Sequence, residues 1–266
     1  FNVVADYSNH KDSKAVINEL VQVHGFDESF VIEVLKDAKK RNEMLVSVAN
    51  PAEKTKTWDE YKAIFLEKNR IVNGKKFIKE NIETLERAEE EFGVPKEVIT
   101  AILGVETRYG SIMGRYRVID SLTTLGFDDP RRSKFFRSEL IQFFLLTREN
   151  NLDILETKGS YAGAMGYGQF ISSSYRAYAI DYDGDQYADL FNSVEDAIGS
   201  IANYLKVHGW KKDGNIVTRV YPNNVRKFYK PHESLTRFLP LTFDENGKEL
   251  HFIADDNFYA IARYNI

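Results

Sequence analysis

Two groups of carboxylates in this sequence have the spacing to do chemistry. The first centres on Glu106, in the segment AILGVETRYG. Read as a helix, this segment places Ile102 four residues and Leu103 three residues before Glu106, and Tyr109 three residues after it. Gly110 is the natural stop, which puts Glu106 in the last turn. An apolar setting disfavours a carboxylate, and so does the negative end of a helix dipole. Both effects raise the pKa, as a general acid working near neutral pH requires. The same neighbours also suit an ordinary solvated helix residue, so both readings stand at this point. The second group is DYDGDQYADLFN, where Asp181, Asp183 and Asp185 occupy positions 1, 3 and 5 of an EF-hand-like loop and Tyr187 offers its carbonyl at position 7. Three close carboxylates repel one another unless a hard, oxygen-ligated cation neutralises them. The match is incomplete, because position 6 is Gln186 instead of Gly and position 12 is Asn192 instead of Glu. A solvated acidic turn is the competing reading.

A third segment, SYAGAMGYGQF, alternates small residues with aromatics. Gly163, Ala164, Gly166 and Gly168 allow close approach of a ligand or of a packed helix. Its order fits neither G-x-x-x-x-G-K-[ST] nor G-x-G-x-x-G, which excludes nucleotide binding by those loops. The five histidines, His10, His24, His208, His232 and His251, show no metal-ligand spacing.

These segments must be positioned by a chain of 266 residues, of which 43% are hydrophobic and 29% charged. That is enough for a sizeable core in one or two domains. Cysteine is absent, which removes thiol nucleophiles, disulfides, Cys-zinc sites and iron–sulfur clusters. The formal net charge of -4 gives no bulk attraction to nucleic acid or anionic lipid. No run of about 18 apolar residues is present to span a membrane. The opening FNVVADYSNHKDS has neither the basic nor the apolar region of a signal peptide.

Hydrophobic periodicity makes most of the chain helical. Residues 13–49 read as a pair of helices separated by Gly25, with Asp27 or Ser29 as the second cap. A third helix covers WDEYKAIFLEKN, and a fourth runs from Lys75 to Phe92 with Gly93 just past its end. Pro95 opens the helix that carries Glu106. Further helices are expected over Ile119–Leu125, Lys134–Asn150 and Asp196–His208. Near the C-terminus NIVTRV, RFLPLTF and ELHFIA read as short strands, with Asn246-Gly247 as a hairpin signal.

Taken together, GVETRYG, SYAGAMGYGQFISSSY, DYDGDQYADL and ANYLKVHGW resemble the lytic transglycosylase B family, glycoside hydrolase family 103, whose members are bacterial enzymes that cleave the peptidoglycan sugar backbone. The resemblance covers residues 94 to 210, with weaker echoes in WDEYKAIFL and FYAIARYN. It implies a mainly α (α+β) fold: a lysozyme-like core, a helical domain, a small C-terminal β element and an EF-hand-like loop. The corresponding domains are 1–93, helical; 94–215, the catalytic core with the loop at 181–196; and 216–266, the β domain and a return to the core.

The resemblance also implies the chemistry. Glu106 stands at the family's catalytic glutamate, the only carboxylate the reaction needs. It protonates the glycosidic oxygen between N-acetylmuramic acid and N-acetylglucosamine. As a carboxylate it then takes the proton of the C6 hydroxyl as that oxygen attacks C1, with the 2-acetamido group assisting. A 1,6-anhydro sugar results. Asp120, Asp128, Asp129 and Glu139 are candidates for the second carboxylate that a hydrolase would need, and they are expected to be structural or solvent-facing. By the same resemblance Ser160, Gln169, Tyr61, Tyr204, Tyr264 and Asn265 line the cleft, where tyrosine suits sugar by stacking and hydrogen bonding. Arg131 and Arg132 match positions near the carboxylates of peptide stems. The family loop takes its last cation ligand beyond position 12, which points to Asp196, with Glu195 as runner-up. The ion is calcium, with sodium the other occupant the loop admits, and its role is structural; catalysis needs no cofactor. The chain stops at Ile266, where the family pattern runs on to another cleft tyrosine.

The implied setting is periplasmic, attached to the outer membrane of a Gram-negative bacterium, with room for a lipid anchor ahead of Phe1. The partners are peptidoglycan glycan strands, without nucleic acid or nucleotide, and the protein acts as a monomer. A hydrolytic muramidase and a non-catalytic peptidoglycan-binding protein are the alternatives.

Overall fold

Over residues 13–49 the periodicity predicts two helices. The computed structural model, which describes residues 6–50, 58–214, 218–219, 250–253 and 259–262, forms three. They are α1 (Ser13–Asn18, running into a π turn at Glu19–Val23), α2 (Glu28–Asp37) and α3 (Asn42–Ala49). Gly25 ends the first with φ +67°, and Phe26 N donates back to the Leu20 carbonyl at 3.0 Å. Asp27 caps α2, accepting from Phe30 N at 2.9 Å. The unexpected break after α2 has a local cause. Lys39 N donates to Asp120 Oδ1 at 2.8 Å and Arg41 N to Thr124 Oγ1 at 3.1 Å. Amides that would have continued the helix are spent on side chains of another element.

The chain continues through α4 (Trp58–Phe65), α5 (Lys68–Glu80), α6 (Ile82–Phe92) and α7 (Lys96–Thr107). Next come β1 (Tyr116–Arg117), α8 (Val118–Asp128), α9 (Ser133–Glu149), β2 (Lys158–Gly159), α10 (Ser172–Tyr178) and α11 (Val194–Val207). Three short strands follow: β3 (Thr218–Arg219), β4 (Leu250–Ile253) and β5 (Tyr259–Ala262). The mainly α, α+β expectation is borne out. No helix among the described residues is long and apolar enough to cross a membrane.

The chain divides into two units. The first takes residues 1–51 and 100–201. At its centre lies α8, buried at every position from Val118 to Phe127. A helix enclosed on all sides must satisfy its polar groups internally. Thr123 donates to the Ile119 carbonyl at 2.7 Å. Asp120, fully buried, accepts from Lys39 N, from Arg41 and, at 2.7 Å, from Arg117. Tyr7 stacks on Phe127 and donates to Asp128 at 2.7 Å. These long-range contacts explain why residues 1–51 associate with the central helices and not with the helices that follow them. This division differs from the sequence boundaries at 93/94 and 215/216.

The second unit takes residues 52–99 and 202–266. The single helix expected from Lys75 to Phe92 is two, α5 and α6, separated at Asn81, whose Nδ2 donates to the Phe77 carbonyl at 2.9 Å. Glu67, in extended conformation, likewise divides the stretch read as one helix over WDEYKAIFLEKN. Gly93 ends α6 with φ +71° as expected, and its carbonyl accepts from Trp210 Nε1 at 2.7 Å. The sheet is antiparallel in the order β3-β5-β4. Strands β3 and β4 fall in the expected NIVTRV and ELHFIA. The central β5 was not anticipated, nor were α10 and the β1–β2 pair. RFLPLTF and the Asn246-Gly247 turn lie outside the described residues.

Candidate active site and cation loop

Helix α7 ends one residue after Glu106, so the acid sits in the last turn as its sequence implies. Three left-handed residues follow: Arg108 at φ +51°, Tyr109 at +60° and Gly110 at +85°. Tyr109 N donates to the Leu103 carbonyl at 3.0 Å, and the Tyr109 ring folds back over Gly104, where a Cβ would lie 2.6 Å from the phenol oxygen. The environment of Glu106 differs from the expected apolar burial. Leu103 is buried, but Val105 is 43% exposed and Glu106 itself is exposed. Its carboxyl is nonetheless held above the ordinary pKa of 4.5 by desolvation. No hydrogen bond or ion pair to a described residue offsets that cost. A carboxyl that water reaches while its charged form is disfavoured can exchange its proton with a ligand.

The glycine-rich segment is fastened to this helix end. Thr107 Oγ1 donates to the Tyr167 carbonyl at 2.8 Å. Gln169 Nε2 donates to the Met113 carbonyl at 3.2 Å and to the Gly166 carbonyl at 3.0 Å. Gln169 holds φ +52°, a strained value for a non-glycine residue, at the corner of a tight turn closed by the Met165–Phe170 bridge. Two glycines allow the approach. A Cβ on Gly110 would lie 2.0 Å from the Tyr167 ring, and one on Gly114 would lie 2.1 Å from the Gly159 backbone. Antiparallel pairing of β1 with β2, Tyr116 opposite Gly159, continues the same seam. Ser160 follows directly. Its Oγ accepts from Ala164 N at 3.1 Å and Ala162 N at 3.3 Å, while Ser121, buried in α8, donates to its carbonyl at 3.2 Å. The helix end that carries Glu106 and the segment that carries Ser160 and Gln169 are thus joined by hydrogen bonds.

The other expected site residues are more dispersed. Arg131 lies in the α8–α9 turn, its amide donating to Asp129 Oδ1 at 2.9 Å. The Arg132 guanidinium lies over Phe135 at 4.5 Å. Both arginines are exposed, and no contact among the described residues ties them to the Glu106 loop. Tyr61 and Tyr204 belong to the second unit: Tyr61 packs edge-on to Phe65 at 5.0 Å, and Tyr204 stacks on His208 at 4.0 Å. Tyr264 and Asn265 lie outside the described residues.

The four candidates for a second carboxylate each have a structural occupation. Asp120 is enclosed by Arg41 and Arg117. Asp128 accepts from Tyr7 and Lys40. Asp129 accepts from Arg131 N. Glu139, 5% exposed, accepts from Ser173 N at 2.9 Å and Ser173 Oγ at 2.7 Å.

In the acidic loop, carboxylate oxygens of Asp181, Asp183 and Asp196 converge within 4.8 Å of one another. Asp196 is fully buried, and burial raises its pKa although its oxygens accept from Tyr182 N at 2.6 Å, Asp189 N at 2.7 Å and Asp183 N at 3.2 Å. Asp185 is not gathered with them; its Oδ1 accepts from Tyr187 N at 2.9 Å. Glu195 is exposed and outside the group. Gln186, at the position where an EF-hand has Gly, adopts φ +81°. Three hard oxygen donors from converging carboxylates, one of them desolvated, fit a calcium-like cation. Sequence reasoning passed over Ser193, whose Oγ donates to Asp183 Oδ2 at 2.7 Å, and Asp189, which accepts from the Phe191 and Asn192 amides. It also passed over Thr107, whose hydroxyl reaches the Tyr167 carbonyl sixty residues further on.

Residues 8–266 match the family model described as the transglycosylase SLT domain. The chain is 37% identical to the membrane-bound lytic murein transglycosylase B of Escherichia coli (strain K12), covering 98% of this chain and 80% of that protein. It is similar in structure to the Escherichia coli lytic transglycosylase SLT35 solved in complex with calcium, at 34% identity and a TM-score of 0.83, covering 98% of this chain and 86% of the other. It is also similar to SltB3 from Pseudomonas aeruginosa solved with NAG-anhNAM-pentapeptide, at 28% identity and a TM-score of 0.69, covering 79% of this chain and 56% of the other.

Proposed function

The chain belongs to the transglycosylase SLT domain family, and on that premise we propose that it is a lytic murein transglycosylase in which Glu106 alone carries the acid–base chemistry. It cleaves the bond between N-acetylmuramic acid and N-acetylglucosamine in peptidoglycan. Protonated Glu106 donates to the glycosidic oxygen as the bond to the muramic acid C1 breaks. The resulting carboxylate takes the proton of the C6 hydroxyl as O6 bonds to C1, so the 1,6-anhydro product forms and the acid is regenerated without water. The observation that carries this reading is the carboxyl of Glu106, desolvated and without a hydrogen-bond partner among the described residues, at a helix end fastened to the Ser160–Gln169 segment. The engagement of Asp120, Asp128, Asp129 and Glu139 elsewhere also supports one acid. A relative bound to a sugar named as anhydro supports the product class.

Ser160 and Gln169 contact the sugar beside Glu106. Tyr61, Tyr204, Tyr264 and Asn265 supply the remaining polar and aromatic lining, and Arg131 and Arg132 receive stem carboxylates. Asp181, Asp183 and Asp196, joined by Asp185 and the Tyr187 carbonyl, hold a structural calcium ion. The setting is the periplasm, at the outer membrane through a lipid anchor; the name of the membrane-bound relative supports membrane attachment.

The test is mass spectrometry of digested sacculi. The protein releases fragments one water lighter than hydrolysis would give, and Glu106→Gln releases none while still binding the wall. Fragments of hydrolytic mass would make it a muramidase. Binding without release by the unaltered protein would make it a wall-binding protein.

A further inference from the structure

One buried hydroxyl next to Glu106 has no part in the chemistry above. Thr107 is 1% exposed. A helical Thr ordinarily bonds back to the carbonyl four residues earlier. Here that carbonyl, on Leu103, is 3.3 Å away, and the closer acceptor is the Tyr167 carbonyl at 2.8 Å. The Thr107 hydroxyl oxygen itself accepts from Gly110 N at 3.0 Å. Tyr167 is itself anchored from its other side. Its amide donates to the Leu190 carbonyl at 2.9 Å, and Leu190 N donates to the Tyr175 hydroxyl at 2.9 Å. The Tyr167 ring also fills the space a side chain on Gly110 would need.

One hydroxyl therefore joins the end of the acid's helix, the left-handed turn after it and the glycine-rich segment. Helix ends fray, and the two non-glycine left-handed residues, Arg108 and Tyr109, persist only where surrounding contacts over-determine them. We propose that Thr107 is a positioning residue for Glu106. Its hydroxyl fixes the last helical turn against Tyr167, and so fixes the carboxyl one residue earlier relative to Gln169, which hangs from Met113 beyond the same turn. The inference rests on Glu106 being the catalytic acid.

The experiment compares the unaltered protein with Thr107→Val, Thr107→Ser and Glu106→Gln on soluble, uncross-linked peptidoglycan strands, well below the lowest Tm. Thr107→Val keeps the shape and removes the hydroxyl. Its kcat falls about 100-fold, as a displacement on the order of 1 Å would cause, while KM stays within about threefold. Thr107→Ser restores the hydroxyl and brings kcat to within about threefold of the unaltered protein. A folded Thr107→Val with kcat within that margin overturns the inference. So does an equal loss in Thr107→Val and Thr107→Ser, or a change confined to KM. If Thr107→Val does not fold, Thr107→Ala takes its place; failure of both to fold assigns the residue a structural role only and also overturns it. Glu106→Gln separates the two claims. Turnover by that variant removes the catalytic acid itself, whereas an inactive Glu106→Gln beside a fully active Thr107→Val removes only the positioning role.

Discussion

At the scale of a single residue, the raised pKa of Glu106 has a consequence for stability that is separate from turnover. Because its folded-state pKa lies above 4.5, the folded protein binds the proton more tightly than the unfolded chain does. The stability contributed by the protonated form is fully present below about pH 4.5 and is lost as pH rises through the folded value. Near neutral pH the carboxylate is therefore a destabilising group, and the proposed acid–base role accounts for its retention. Glu106→Gln should raise Tm at neutral pH, and the difference should vanish below the ordinary carboxyl pKa, as thermal melts across a pH series would reveal. A variant less stable than the parent at neutral pH would mean that the carboxylate is well solvated or well paired after all. In the proposed mechanism the same proton governs rate, so activity should decline as pH rises through the raised pKa.

At the scale of elements, the close approach of the Glu106 turn to the 158–170 segment depends on backbone that no side chain can share. Gly114 has φ +106°, and a Cβ there would lie 2.1 Å from the Gly159 carbonyl. Gly25 has a comparable positive φ of +67° but nothing within 4 Å. Gly25→Ala should thus cost only the conformational penalty, about 1 kcal/mol. Gly114→Ala must also displace backbone and should cost about 3 kcal/mol or more, with activity lost in parallel; denaturant melts of the two variants measure the difference, and equal costs would remove the steric argument. Local signals of this kind were legible in the sequence. Gly25, Asp27 and Gly93 act where their chemistry said they would, because caps and left-handed stops are decided by one or two residues. The break at Ala38–Arg41 was not legible, because the side chains that capture those amides, Asp120 and Thr124, lie some eighty positions further on. Strand β5 owes only part of its pairing to distant sequence: β3 lies some forty residues before it, but β4 pairs with it locally, Ile253 opposite Tyr259. The split of Lys75–Phe92 at Asn81 overrode a pattern that was periodic throughout. Glu106 and its glycine-rich partner segment could be read from motif order. Thr107 could not, because its significance lies in which carbonyl its hydroxyl reaches.

At the scale of the whole molecule, a division in which each unit draws on two separated stretches of chain makes the connections between them costly to order. The acidic loop at 181–196 lies inside one of those stretches, 100–201, where it joins α10 to the start of α11. Its carboxylates converge without a basic partner among the described residues, and the deepest of them, Asp196, is fully buried. Folding therefore gathers negative charge that the unfolded chain keeps apart. A cation bound only by the folded state offsets that repulsion and shifts the unfolding equilibrium by mass action, by about 2.7 kcal/mol at a free concentration of 100 Kd. Calcium added to chelator-treated protein should accordingly raise Tm in a concentration-dependent way. Sodium at equal concentration should do so less, because a monovalent ion neutralises less of the charge. Asp183→Asn combined with Asp181→Asn removes the charge of two exposed carboxylates and leaves each an oxygen to accept from the loop amides. It should fold in chelator with a Tm at or above that of the stripped parent, because the repulsion has been relieved, and should show no response to calcium. An identical calcium response in the double variant would place the ion elsewhere on the molecule, and no response in the parent would leave the acidic loop as a solvated turn held by its own backbone amides.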